Sequence, residues 1–71
     1  MMEYAVIYER GATNWGAIVP DLPGCVSIGD TYDDVQHNVK EAIELYIEVL
    51  QERGDPIPEP RHMVGSVVVS A

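Results

Sequence analysis

Apolar and polar positions divide the chain into short β-type runs, one long periodic run and a closing apolar run. Residues 3–9 (EYAVIYE) are rich in β-branched and aromatic side chains and predict a first strand. Tyr4, Val6 and Tyr8 fall on one face, Ala5 and Ile7 on the other, and neither face is clearly polar. Residues 10–14 (RGATN) predict a hairpin loop, and residues 15–19 (WGAIV) the returning strand. Gly16 marks a bulge or a close backbone approach there. After Pro20-Asp21-Leu22-Pro23-Gly24, residues 25–28 (CVSI) predict a short third strand, giving an antiparallel meander. Pro20, Pro23, Gly24 and Gly29 restrict or release backbone angles so closely together that they mark a built turn rather than a linker.

The long run begins at Thr31, whose hydroxyl can cap the first free amides of a helix; Asp30 precedes it. Thr31-Tyr32-Asp33-Asp34 is a capping box with Asp in place of Glu, and Asp33 and Asp34 suit the positive end of the helix dipole. The helix is expected to run to about Arg53 and to stop at Gly54. At about 100° per residue, Val35, Val39, Ala42, Ile43, Tyr46, Val49 and Leu50 share one arc. Glu41, Glu44, Glu48 and Glu52 occupy the other side, with His37 beside them. Like charges at i, i+4 spacing repel by roughly 0.2–0.5 kcal/mol per pair, and only Lys40 is placed to offset this.

Pro56, Pro58 and Pro60 then alternate through residues 54–62, a stiff connector rising about 3 Å per residue in polyproline geometry. Residues 63–70 (MVGSVVVS) predict a last strand. The expected architecture is a single α+β domain over residues 1–71, of β-β-β-α-β order. It forms two layers, a four-stranded mixed sheet in spatial order 4-1-2-3 with one long helix on one face. Tyr4, Val6, Tyr8 and Trp15 are expected to leave the uncovered face partly apolar, and Val67-Val68-Val69 would be a sticky edge. Both difficulties are relieved by a homodimer that exchanges its last strands, or by a higher assembly.

Size and charge sharpen this picture. At 71 residues the chain is near the lower limit for burying an adequate core alone. Small domains are usually reinforced by disulfides, a metal or association; the single cysteine, Cys25, excludes an internal disulfide, and no Cys/His cluster suggests zinc. Twelve acids against four Lys and Arg give a net charge of −8. That disfavours nucleic acid and suits either a basic protein partner or simple solubility. No signal peptide or bilayer-spanning run is present in the sequence, so a cytoplasmic protein with a reduced thiol is expected.

Catalytic motifs are missing: there is no Walker loop, dinucleotide fingerprint, HExxH, CxxC or GxSxG. Cys25 could serve as a nucleophile only with a nearby base, and a buried strand cysteine is the simpler reading. Asp21, Asp30, Asp33 and Asp34 could ligate a hard cation, but three of them are accounted for by the turn and helix start, and their spacing is not that of an EF-hand. No metal, no cofactor and no enzymatic activity are expected.

The order EYxVIYE, WGAIVPDLPGCVSIGDT, a helix bearing Asn38, Glu41, Ala42 and Ile43, and GDPIPEP resembles the HicB-like antitoxin domain over nearly the whole chain. The PDLPGC and GDT pair, with the helix and proline segment at their expected distances, is the specific part. The resemblance implies a partial ribonuclease-H-like fold, without nuclease activity, since function belongs to sites rather than folds. It implies that the domain binds and occludes a HicA-like toxin, a small basic ribonuclease with a double-stranded-RNA-binding-like fold. Candidate contacts are Asp21 and Leu22 in the turn, the neighbouring sheet edge, and Glu41, Glu44 and Glu48 on the helix. Pro20, Pro23, Gly24, Gly29, Asp30 and Thr31 are expected to shape the turn itself. Many family members continue into a helix-turn-helix or ribbon-helix-helix domain, which is not found here, so direct binding to operator DNA is not expected. The alternative is a stand-alone regulatory or ligand-binding dimer of the same fold with no toxin partner.

Overall fold

A computed structural model describes residues 2–71. The elements follow in the order β1 (Ile7–Arg10), β2 (Trp15–Ile18), β3 (Val26–Gly29) and α1 (Tyr32–Arg53). The three strands form one antiparallel sheet in the order β1-β2-β3, and the helix lies across one face. The meander closes tightly because its loops satisfy their own backbone groups. The Gly11 N–H donates to the Asn14 carbonyl at 2.8 Å across the first hairpin, and the Val19 N–H donates to the Cys25 carbonyl at 3.1 Å at the mouth of the second.

Strand alternation assigns the two faces. Tyr8, Ala17 and Ser27 lie in one cross-sheet row and face the helix; Ile7, Ile18 and Val26 lie in the next and face away. The core under the helix consists of Ala17, Val19, Leu22, Cys25, Val35 and Val39, with Tyr4, Val6, Tyr8, Trp15, Ala42, Ile43 and Tyr46 packed around it. Tyr32, at the start of α1, meets Tyr8 edge-on at 5.0 Å and Trp15 at 5.1 Å between ring centroids, closing one end of the core.

Both ends of α1 are capped as the sequence predicts. The Asp34 N–H donates to the Thr31 hydroxyl at 3.1 Å. Gly54 takes the left-handed conformation (φ 72°), and the Asp55 N–H reaches back to the Leu50 carbonyl at 2.9 Å, a Schellman-type stop.

Three expectations need correction. The first strand is shorter than residues 3–9, because its partner β2 ends at Ile18, opposite Ile7, and nothing continues the ladder alongside residues 3–6. The four-stranded mixed sheet of order 4-1-2-3 is replaced by three antiparallel strands. Residues 63–70 form no strand here, because the connector carries them off the body and no neighbour supplies ladder bonds. The apolar residues of the open face are also different ones: Tyr4, Val6, Tyr8 and Trp15 pack beneath the helix, while Ile7, Ile18, Val26 and Ile28 face outward, each between 49% and 68% exposed.

Candidate partner-binding surface

Residues 19–25 fold as two consecutive β-turns. The Leu22 N–H donates to the Val19 carbonyl at 3.1 Å and the Cys25 N–H to the Leu22 carbonyl at 2.9 Å. Pro20 and Pro23 each occupy the second position of their turn, where a fixed φ is favourable. Gly24 occupies the third position of the second turn at φ 81°, as a type II turn requires. This geometry drives Leu22 fully into the core and leaves Pro23 and Gly24 on the surface. The Tyr46 hydroxyl donates to the Pro23 carbonyl at 2.9 Å, tying the turn to the middle of α1.

Asp21 serves the fold rather than the surface. Its side chain is 4% exposed, its Oδ2 accepts the backbone N–H groups of Arg61 and His62 at 2.9 and 3.1 Å, and its Oδ1 pairs with His62 Nδ1 at 2.6 Å. The Arg61 amide is the largest influence holding the Asp21 carboxyl below its ordinary range; burial opposes it, and the His62 hydrogen bonds assist. The Tyr4 hydroxyl donates to the Pro58 carbonyl and holds the same connector a few residues earlier. Of the two turn residues expected to meet a partner, Leu22 therefore has no exposed surface to offer and Asp21 very little.

The remaining turn-motif residues dock the helix. An added Cβ at Gly29 would stand 2.5 Å from the Val35 amide nitrogen and 2.9 Å from the Asp34 carbonyl carbon, so only glycine permits this approach of β3 to the first turn of α1. The Asn38 amide donates to the Ile28 carbonyl at 2.8 Å, a second tie between the two elements. Asp30 and Thr31 stay exposed between them.

What the surface offers lies on the helix. Glu41, Glu44, Glu48 and Glu52 are all exposed, and Leu45 and Val49 are exposed beside them. Leu45 and Val49 open onto a shallow groove whose other wall is Gly24, Cys25 and Val26. The trough between the turn and α1 is thus mainly apolar, with Arg53 its one charged lining residue, and the four glutamates lie outside it on the same helix. Sequence reasoning found the acids by periodicity. The trough is not legible that way, because Leu45 lies within the acidic arc and Val49 within the apolar stripe.

Cys25 is buried, and burial pushes its thiol above the ordinary value, which keeps it protonated. Among the described residues no group of three or more His, Cys, Asp or Glu is gathered to hold a metal ion. No helix among the described residues is long and apolar enough to cross a membrane.

Fold and surface together define a small two-layer α+β domain, a three-stranded antiparallel sheet under one helix with an acidic outer face. A family described as HicB_like antitoxin of bacterial toxin-antitoxin system matches residues 4–68, and the chain belongs to that family. Relatives include a UPF0150 protein of Helicobacter pylori, 47% identical over 51 residues that make up 72% of this chain and 69% of that one. A 14.9 kDa protein of the rep-hol intergenic region of Haemophilus phage HP1 is 38% identical over 82% of this chain, but the match spans only 44% of the phage protein's length. Among solved structures, a chain of the HicA3 and HicB3 toxin-antitoxin complex superposes with a TM-score of 0.71 at 30% identity, covering 83% of this chain and 70% of that one.

Proposed function

We propose that this domain is an antitoxin module that binds and occludes a small basic HicA-like ribonuclease toxin. The observation that carries the reading is the superposition on a chain of a toxin-antitoxin complex, and the acidic face of α1 agrees with it. A basic partner is steered by the −8 net charge and meets Glu41, Glu44 and Glu48 as the nearest dense negative surface. An apolar side chain of that partner fits the trough beside Leu45 and Val49. Self-association belongs to the same reading, since the buried core is small and one sheet face is open.

The test is to mix the purified chain with a small basic HicA-like ribonuclease from the same host and to measure both complex formation and ribonuclease activity. Stoichiometric complex and suppressed activity are expected. The double variant Glu44→Lys and Glu48→Lys should bind at least tenfold more weakly while keeping its helical circular dichroism. No complex and no loss of ribonuclease activity with the unaltered chain would overturn the antitoxin reading.

A further inference from the structure

The connector does not simply trail away. Asp21 and Tyr4 clamp it at Pro58 and at Arg61–His62, and from there residues 63–70 leave the body as an extended segment. The apolar side chains of this segment, Met63, Val64 and Val67 to Val69, are between 75% and 98% exposed. The segment contains no charged residue at all, in a chain of net charge −8. Side chains alternate along an extended backbone, so Val67 and Val69 fall on one side and Val64 and Val68 on the other. Apolar residues on both sides are the composition of a strand covered on both faces.

The matching vacancy is the outer edge of β1. The sheet order leaves that edge unpaired along Ile7–Arg10, and residues 3–6 continue the same edge with no strand on either side. Residues 63–70 are equal in length to residues 3–10. The root of the segment shares a recess with Glu3, Tyr4 and Ala5, so it leaves the body on the β1 side. In a two-fold pair whose axis lies beside β1, a segment from one copy that reaches the β1 edge of the second is matched by the reverse contact at the same time.

We infer that two copies of this chain exchange residues 63–70, each segment adding as a fourth strand to the free β1 edge of the other. The occupant is a second copy rather than a basic partner because the contact is uncharged on one side and carries only Glu3, Glu9 and Arg10 on the other. Two acidic chains can approach there without bringing their helix faces together. The added strand also places valines next to Ile7, which extends the outward apolar row of Ile7, Ile18 and Val26 rather than leaving it bounded by an open edge. The inference rests on the reading that the chain self-associates and is independent of whether it binds a toxin.

Sedimentation or light-scattering mass of the full chain at micromolar concentration tests it, together with amide hydrogen exchange. A dimer is expected. Amides of residues 63–70 and of residues 3–10 should be protected at least tenfold, and Val68→Lys and Val67→Pro should each give a monomer of unchanged helical content that loses protection in both segments. Ile18→Glu, on the open face away from the edge, serves as the contrasting variant and should remain dimeric. A monomeric unaltered chain would overturn self-association itself. A dimer that survives both tail variants, or protection confined to residues 63–70 with residues 3–10 exchanging freely, would overturn the strand exchange while leaving self-association standing.

Discussion

Replacing Gly29 by alanine probes how the helix is seated. Its φ is not positive, so alanine can adopt the backbone, and the effect must come from space. The added methyl would stand 2.5 Å from the Val35 nitrogen and 2.9 Å from both the Val35 Cα and the Asp34 carbonyl carbon. All three are backbone atoms, so no side chain can swing aside; α1 must lift from β3 or β3 must bend. Overpacking of a tight site costs about 1–3 kcal/mol, and loss of glycine freedom in the unfolded chain returns about 0.4–1 kcal/mol. Because the contact is with backbone on the strand-helix pair that forms most of the layer packing, a net loss of about 1–2 kcal/mol is expected. In a domain of this size that lowers Tm by roughly 5–15 °C. Thermal and urea unfolding at one fixed protein concentration would measure it, with Gly16→Ala as the control. The nearest atom to a Cβ at Gly16 is the Ser27 carbonyl oxygen at 4.0 Å, so that variant should stay within about 0.5 kcal/mol of the unaltered chain. Equal stability of the two variants, or a more stable Gly29→Ala, would refute the close-approach argument.

Leu22→Ala removes a fully buried side chain and should cost about 2–5 kcal/mol in urea unfolding, enough to show that this turn residue is a core residue. Thr31→Ala deletes the hydroxyl that accepts the Asp34 amide and should cost about 1 kcal/mol by the same measurement. Asp21 has a lower pKa folded than unfolded, so its stabilisation is complete above its unfolded value near 3.8 and is lost as pH falls from there through the folded pKa. Acid titration followed by circular dichroism should therefore show a loss of stability below about pH 4 that is smaller in Asp21→Asn. Raising salt from low to about 0.5 M should weaken binding of a basic partner at the acidic helix by screening and leave a strand exchange made by the uncharged segment 63–70 unchanged or tighter, as read from complex and homodimer masses.

The parts of the fold written in local chemistry were legible in the sequence. Thr31 and Gly54 bracket the helix because capping is decided by residues within one turn of each end. The two-proline turn was recognisable because Pro20, Pro23 and Gly24 constrain their own backbone angles. Register and face were less legible, because residues 3–9 have no polar side to orient them. What decided that Tyr4, Val6 and Tyr8 go inward was the position of Ile7 opposite Ile18, a long-range pairing that alternation alone does not fix. The last strand was misplaced for a related reason: its composition is that of a strand, but a strand also needs an edge to pair with, and the chain directs that segment away from its own sheet. On the surface, periodicity located the acidic residues, while nothing local distinguishes an inward Leu22 from an outward one.

These placements change the meaning of the turn motif. Pro20 to Gly24 carries the strongest family resemblance, yet its buried members face the protein itself. Leu22 fills the core under α1, Pro23 accepts from Tyr46, and Asp21 grips Arg61 and His62, far along the chain. One short segment thus fixes the sheet-to-helix crossing and also sets the direction in which residues 63–70 depart. The surfaces proposed for partners then separate by chemistry: an acidic helix face suited to a cation-rich protein, and an uncharged segment with a β1 edge carrying only Glu3, Glu9 and Arg10, suited to another copy of the chain. Because they lie on different elements, occupying one does not require vacating the other. A substitution in the motif would disturb both through the fold, whereas Glu44→Lys with Glu48→Lys on one surface and Val68→Lys on the other would disturb each alone.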